Sequence, residues 1–198
     1  MKDLKQIQEN AAKQAIIDIA RKIILQVGVS GLSMRGLAKQ VGCSPATLYK
    51  YFENKKDILE AIRAEGWHLM GQIQREFDLD NLAPSEKLLA LSSAFQKFPT
   101  AYPEHYMLMF GSMDAENFTV ESHLKDPGFQ GLVQLIQSAV NDGDIQTNDF
   151  TADQLAYHIW FLSHGIAMLR ITLFREDPDF SKVSDDILQS FAKSILKK

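Results

Sequence analysis

The sequence has very little cysteine and no long apolar run. Its 198 residues include one cysteine, Cys43, which excludes an internal disulfide and indicates a reducing compartment. No stretch of about 18 uncharged apolar residues occurs, so no transmembrane helix is expected. The first ten residues, MKDLKQIQEN, are polar and lack the apolar region of a secretory signal. We therefore expect a cytoplasmic protein without a membrane partner.

Motifs that mark enzymes and metal sites are also missing. His105, His123, His158 and His164 do not have the spacing of a His-Glu-x-x-His zinc site. Neither a Gly-x-Ser-x-Gly nucleophile turn nor a phosphate-binding loop occurs. We accordingly expect no metal, no cofactor and no catalytic residue. Cys43 could sense redox state, but a small residue in a turn is the simpler interpretation.

No segment alternates with period two, and apolar residues instead recur at helical spacing, which predicts an all-α fold. A first helix over residues 9–27 follows an arm of residues 1–8, and Gly28 ends it. A long helix over residues 55–77 links this part to the rest of the chain and is the expected lever between them. The remaining helices are predicted over 84–98, 104–115, 127–143, 151–174 and 183–196, with interruptions at Pro99 and Pro178.

Two short helical patterns lie between Ser33 and Lys55, in the sequence SMRGLAKQVGCSPATLYKYFENK. Ser33 is suited to cap the first pattern, and Gly42 suits the left-handed turn at its end. Ser44 is suited to cap the second pattern, and a proline follows at the first helical position. A helix, a short turn with glycine and a second short helix predict a helix-turn-helix. An unrelated helical hairpin with the same caps is the alternative.

Positive charge is concentrated in the first quarter of the chain, which favours a helix-turn-helix over an unrelated helical hairpin. Residues 1–56 hold ten Lys and Arg against four Asp and Glu, a net charge of +6. Residues 57–198 have a net charge of −10. A basic segment on an otherwise acidic chain is the electrostatic footprint expected of a phosphate-binding surface. The charge distribution therefore predicts DNA binding by the N-terminal segment.

The segment GLSMRGLAKQVGCSPATLYKYFENKKDIL resembles the N-terminal DNA-binding domain of the TetR family of bacterial transcriptional regulators. The shared features are the Gly-Val-x-Gly-Leu-Ser entry, the Leu-Ala-x-x-Val-Gly helix and the closing Leu-Tyr-x-Tyr-Phe-x-x-Lys. The resemblance implies a three-helix head joined by a long helix to a C-terminal helical domain. We place a DNA-binding domain at residues 1–56 and an effector-binding and dimerisation domain at residues 57–198.

The resemblance also implies which residues contact DNA. Arg35 is expected to reach a base edge or a phosphate, and Ala46, Thr47 and Lys50 are expected to read bases. Of the two tyrosines in the motif, the second is expected to face outward, and the first could instead pack against the first helix. The remaining expected contacts position the head on the DNA backbone: Ser33, Ser44, Pro45, Tyr49, Tyr51 and Lys55.

Phe, Tyr, Met and Trp are dense between residues 86 and 175. Such a stripe is more often plain core, yet Met-rich surfaces adapt to varied ligands. The segment WFLSHGIAML also resembles the Trp-x-x-x-His-Gly pattern of one TetR subgroup. We expect a small, largely apolar effector to bind in a cavity lined by Phe95, Phe98, Tyr102, Tyr106, Met109, Phe110, Met113, Trp160, His164 and Met168.

The last two long helices carry more apolar surface than one monomer face requires. The resemblance assigns them to a homodimer interface, which two-fold symmetry would match to a palindromic DNA operator. We thus expect a homodimeric repressor released by its effector, with ligand-promoted DNA binding or activation left open. A helical carrier, an enzyme and a non-specific nucleoid-binding protein are the other classes considered. The expected interface residues are Ile166, Leu169, Leu173, Val183, Ile187, Leu188, Phe191 and Ile195.

Overall fold

The computed structural model describes residues 2–77, 79–111, 119–147 and 150–196. These residues form ten α-helices and one π-helical turn, with no β-strand among them. The predicted all-α fold is confirmed, and no helix in the described ranges is long and apolar enough to cross a membrane. The elements are α1 (Lys2–Gly31), α2 (Met34–Val41), α3 (Pro45–Tyr49), α4 (Lys55–Arg75), α5 (Pro84–Ala101), α6 (Pro103–Tyr106), the π-helical turn (Met107–Gly111), α7 (Val120–Leu124), α8 (Pro127–Asn141), α9 (Ala152–Thr172) and α10 (Pro178–Ile195).

The helices belong to two compact units. The first unit is Met1–Leu69 with Tyr102–Met113, and the second is Met70–Ala101 with Asp114–Lys198. This boundary differs from the division after residue 56 that the change in charge predicts. The observed boundary, after Leu69, falls inside α4. The change in charge could not predict it, because charge along the sequence does not show which residues of a continuous helix pack in which core.

Apolar side chains from α1 to α4 form the core of the first unit. Leu37, Leu48, Ile58 and Ile62 are fully buried there, and Leu108 of the π-helical turn belongs to the same core. Complete burial of such a side chain is worth roughly 1.5–3 kcal/mol. The segment after α5, which the sequence pattern places with the C-terminal domain, is therefore held in the first unit by its own apolar residues.

The helix α1 begins at Lys2, so the prediction of an arm over residues 1–8 is wrong. No glycine or proline precedes Gly28, and a contact one turn apart supports the exposed end of the helix: Gln6 Nε2 donates to Asn10 Oδ1 at 3.1 Å. Gly28 interrupts the helix with a φ of 75°, as its position predicts.

The segment predicted as one helix over residues 104–115 is instead the short helix α6 followed by the π-helical turn. Tyr106 at the end of α6 is fully buried, and burial raises the pKa of its hydroxyl above the usual range. The end of the predicted helix, with Met113, lies outside the described residues.

The caps predicted for two helices of the second unit are present. The Asp126 carboxylate accepts the backbone N–H of Phe129 at 2.9 Å at the start of α8. At the start of α9, Thr151 Oγ1 accepts the N–H of Gln154 at 3.2 Å, and Gln154 Oε1 accepts the N–H of Thr151 at 2.9 Å. These short-range bonds satisfy donors that the first turn of a helix leaves without intrahelical partners.

The prediction that Pro99 and Pro178 interrupt helices is wrong. Pro99 does not end α5, which continues to Ala101 with the proline ring buried in its last turns. A proline near a helix end removes one hydrogen bond, and burial of the ring offsets part of that loss. Pro178 does not interrupt a helix but begins α10, where its missing N–H costs nothing and the Asp177 carboxylate accepts the N–H of Asp179 at 2.9 Å.

Candidate nucleic-acid interface

The helices α2 and α3 form the predicted helix-turn-helix. Ser33 Oγ accepts the N–H of Gly36 at 3.2 Å, and Ser44 Oγ accepts the N–H of Thr47 at 3.1 Å. Gly42 between the helices has a φ of 78°, the left-handed conformation that its position predicts. The two serines predicted as DNA contacts therefore also serve as helix caps, which fix where α2 and α3 begin.

The five-residue helix α3 presents one face to solvent and the other to the core. Leu48 is fully buried, and Thr47 is half-buried with its hydroxyl 2.9 Å from Ser44 Oγ. The side chains available to a partner at α3 and the residue that follows it are Pro45, Ala46, Tyr49 and Lys50. Arg35, near the start of α2, is exposed as well.

The two tyrosines of the motif differ in exposure, and only the first is as available to DNA as its predicted contact requires. Tyr49 is 52% exposed, whereas Tyr51 is half-buried and packs against the core of the first unit. Tyr51 follows the end of α3, and its N–H donates to the carbonyl of Leu48 in a tighter turn at 3.0 Å. Helical spacing no longer applies beyond that turn, so the expected outward direction of Tyr51 is wrong.

Lys55 has a partner inside the protein that its sequence position did not reveal. Its Nζ donates to the carbonyl of Val29 at 2.6 Å, at the end of α1. The same carbonyl also accepts the backbone N–H of Leu32 at 3.2 Å, so the lysine adds a second hydrogen bond to it at the end of α1. Lys55 thus joins the start of α4 to the end of α1, in addition to its predicted contact with phosphate.

A polar cluster links α1, α4 and α6 within the first unit. The fully buried His105 has its Nε2 3.0 Å from Glu65 Oε2, and Gln14 Nε2 donates to Glu65 Oε1 at 3.2 Å. Arg21 Nε lies 3.7 Å from Glu65 Oε2. Because a carboxylate only accepts, the His105 ring donates through Nε2. These four residues, here called the His105 cluster, are too far apart in sequence for any motif to join them.

The predicted effector-binding residues belong to two different units. Within the second unit, the His164 ring lies 4.9 Å from Phe95 and 4.7 Å from Trp160, measured between ring centres. Phe98 is fully buried there, and Met168 is half-buried. The first unit holds the others that the structure describes: Tyr102, Tyr106, Met109 and Phe110.

A polar group that the sequence did not single out lies between α5 and α9 in the second unit. Gln96 is 8% exposed, and its Nε2 donates to the carbonyl of Ser163 at 3.2 Å. Its Oε1 is buried and has no hydrogen-bond partner among the described residues. Gln96 therefore carries an open acceptor at the contact between α5 and α9, the two helices that also hold Phe95 and His164.

The predicted interface residues divide by exposure. Ile166 and Ile195 are buried within the second unit, so their assignment to an interface is corrected: they pack on the chain's own core. Leu188 and Phe191 are half-buried. Phe161, which the prediction omitted, is 59% exposed. The predicted residues that remain on the surface are Leu169, Leu173, Val183 and Ile187.

No group of three His, Cys, Asp or Glu side chains in the described ranges could hold a metal ion.

Part of the first unit matches a known protein family. The family model of the bacterial regulatory proteins of the tetR family matches residues 16–62, which run from α1 into α4. The Fatty acid metabolism regulator protein of Bacillus subtilis is 27% identical over 139 residues, 69% of this chain and 70% of that protein. An HTH-type transcriptional regulator of Mycobacterium bovis is 25% identical over 100 residues, 49% of this chain.

The fold of most of the chain is also similar to that of solved structures. A solved bacterial regulatory protein in the tetR family, from Rhodococcus RHA1, superposes with a TM-score of 0.74. It is 15% identical, and the match covers 94% of this chain and 98% of that one. The match to the mycobacterial relative spans only 42% of that protein's length. The sequence motifs, the helix-turn-helix and the family match agree over residues 16–62, and this segment matches the model of the bacterial regulatory proteins of the tetR family.

Proposed function

We propose that the chain is a DNA-binding transcriptional regulator whose helix α3 enters the major groove. The observation that carries this proposal is the exposure of Ala46, Tyr49 and Lys50 around the buried Leu48. A short helix held from behind by its apolar residue, with small, aromatic and basic side chains outward, suits contact with base edges. The net charge of +6 over residues 1–56 supports the same conclusion, because it attracts phosphate.

The regulator is proposed to act as a homodimer on a palindromic operator, in the cytoplasm where bacterial DNA lies. Four exposed apolar residues of the second unit support a dimer: Leu169 and Leu173 at the end of α9, and Val183 and Ile187 on α10. A two-fold dimer presents two copies of α3 to two half-sites one helical turn of DNA apart.

A small, largely apolar effector is proposed to control DNA binding. The rings of Phe95, Trp160 and His164 suit an apolar molecule, and the buried Oε1 of Gln96 in the same unit could accept one hydrogen bond from it. The name of the Bacillus relative, a fatty acid metabolism regulator, supports an apolar ligand class. Repression relieved by the effector is the leading form, and ligand-promoted DNA binding or activation is the alternative. The role is regulatory rather than catalytic.

Selection of DNA from random sequence tests the proposal. The full-length protein, at fixed salt concentration, is expected to enrich a palindrome, and an apolar compound from a small-molecule library is expected to release that DNA. An effector that instead strengthens binding would support the alternative form. Recovery of no preferred sequence would refute the DNA-binding function itself.

Replacement of Lys50 by alanine is expected to change the preferred operator. Lys50 is exposed next to α3, so its loss removes a base contact worth about 1–3 kcal/mol of discrimination. The free energy of unfolding is expected to change by less than about 0.5 kcal/mol. Binding of the wild type and the variant to the selected palindrome and to single-base variants of it measures the effect.

Lys55→Ala is the matched comparison for that prediction. It is expected to weaken binding to all DNA sequences alike, and to lower the dependence of log K on log salt by about 0.9 where one phosphate contact is lost. It also removes the hydrogen bond to Val29, so the free energy of unfolding falls by about 1 kcal/mol. Equal losses of operator preference in both lysine variants would contradict this division of roles.

A further inference from the structure

Gly165 lies in the interior of α9, and no contact with the residues that the structure describes requires a glycine there. Its backbone does not have a positive φ, so the left-handed region does not require glycine here. A Cβ at this position would meet no heavy atom within 4 Å beyond the backbone of its own helix. Glycine is a poor helix former, because it loses the most backbone freedom on folding. An alanine would therefore fit the isolated protomer at least as well.

The surface around Gly165 faces away from the core and is apolar. Phe161, four residues before it, is 59% exposed, and Leu169, four residues after it, is 39% exposed. Residues four apart lie on the same side of a helix, so the three form one row with a gap at its centre. Residues buried on the other side of α9, such as Ile159 and Ala167, fix this orientation.

The same surface carries no charge. Residues 154–169 of α9 contain no Asp, Glu, Lys or Arg. In a two-fold interface each patch meets its own copy, so a charged patch would repel itself. An uncharged apolar row with a central gap is complementary to a second copy of the same row.

We propose that Gly165 is the point at which α9 of one protomer crosses α9 of its partner. This inference rests on the homodimer of the proposed function and specifies its geometry. At a two-fold axis the residue on the axis meets its own copy, and the absent side chain lets the two helix backbones approach closely. Phe161 and Leu169 of each protomer then close over the partner helix on either side of the crossing.

In this proposal the residues of the Trp-x-x-x-His-Gly pattern lie on two sides of α9. Trp160 and His164 hold each other within the second unit, where His164 also meets Phe95. Gly165 lies on the exposed side of the same helix, where the partner is proposed to cross. One short motif thus connects the rings proposed to bind an effector with the proposed crossing of two protomers.

Sedimentation equilibrium of Gly165→Leu tests the crossing. The dissociation constant of the homodimer is expected to rise by about tenfold or more, because a side chain forced into a close helix contact is over-packed. Helical content by circular dichroism is expected to remain that of the wild type, since Gly165 is exposed and a Cβ there meets no atom of the described residues within 4 Å.

Gly131→Leu is the matched control. Gly131 is also exposed within a helix, α8, and a Cβ there likewise meets no atom within 4 Å. Its dimer is expected to be as tight as that of the wild type. A second variant, Leu173→Glu, places a charge on the proposed interface away from the crossing and is expected to dissociate the dimer.

The possible outcomes test the crossing at Gly165 separately from the existence of the dimer interface. If Leu173→Glu dissociates the dimer while Gly165→Leu leaves it intact, the interface stands and the crossing at Gly165 is refuted. If the wild type is a monomer, or if neither variant affects its dimer, the proposed interface fails together with the crossing. Weakening by Gly165→Leu and Leu173→Glu, but not by Gly131→Leu, supports the crossing.

Discussion

Replacement of Leu48 by alanine is expected to abolish operator binding and to lower the free energy of unfolding by about 2–5 kcal/mol, the usual cost of Leu→Ala in a core. Leu48 is fully buried and is the only buried residue of α3. A five-residue helix is not stable by itself, because helix nucleation is unfavourable. Removal of its anchor therefore releases α3 from the head as well as leaving a cavity. Urea denaturation and DNA-binding titrations on the selected operator measure the two effects.

The adjacent residue provides the control for this prediction. Tyr49 is 52% exposed, so Tyr49→Ala is expected to change the free energy of unfolding by less than about 0.5 kcal/mol while it weakens DNA binding. Loss of both stability and DNA binding in Leu48→Ala, with loss of DNA binding alone in Tyr49→Ala, separates support of α3 from contact with DNA. A stable Leu48→Ala protein with full affinity would contradict the assigned support role.

Glu65→Ala is expected to lower the free energy of unfolding by about 1–3 kcal/mol, the cost of leaving a buried donor without a partner. Glu65 accepts from His105 on α6 and from Gln14 on α1, and Arg21 lies close to it. The His105 side chain has no exposed surface in the folded protein, so its ring N–H depends on the Glu65 carboxylate for a partner. Thermal and urea unfolding followed by circular dichroism measure the change.

Two variants sharpen the test of the His105 cluster. Glu65→Gln keeps an oxygen acceptor and is expected to lose less stability than Glu65→Ala. Glu60→Ala, on the same helix, removes an exposed carboxylate 3.7 Å from Lys56 and is expected to cost less than about 1 kcal/mol. Equal effects of Glu60→Ala and Glu65→Ala would show that the buried donor of His105 contributes nothing to the stability of the first unit.

Features that depend on a few neighbouring residues could be predicted from the sequence. The caps of Ser33, Ser44 and Thr151 were predicted because each bonds a backbone group three residues away. Gly42 was placed correctly because few residues other than glycine adopt the left-handed turn that ends α2. The burial of Leu48 follows from helical spacing within one short helix.

Features that depend on distant parts of the chain could not be predicted. Tyr51 lies just past the end of α3, where helical periodicity no longer indicates direction, so its packing was missed. The partner of Lys55 is a carbonyl 26 residues away, and the partner of His105 is 40 residues away. Ile195 shows the same limit: an apolar stripe indicates that a helix face is covered, but not whether the chain itself or a second copy covers it.

The division of labour within α3 bears on how its DNA preference can diverge. Leu48 and the cap at Ser44 hold the helix, whereas Ala46, Tyr49 and Lys50 contribute little to folding because they are exposed. Substitutions at these three positions are therefore nearly neutral for the fold and free to follow a changing DNA site. Duplicated copies of such a gene can acquire new operators through this short surface, without compensating changes in the core of the head.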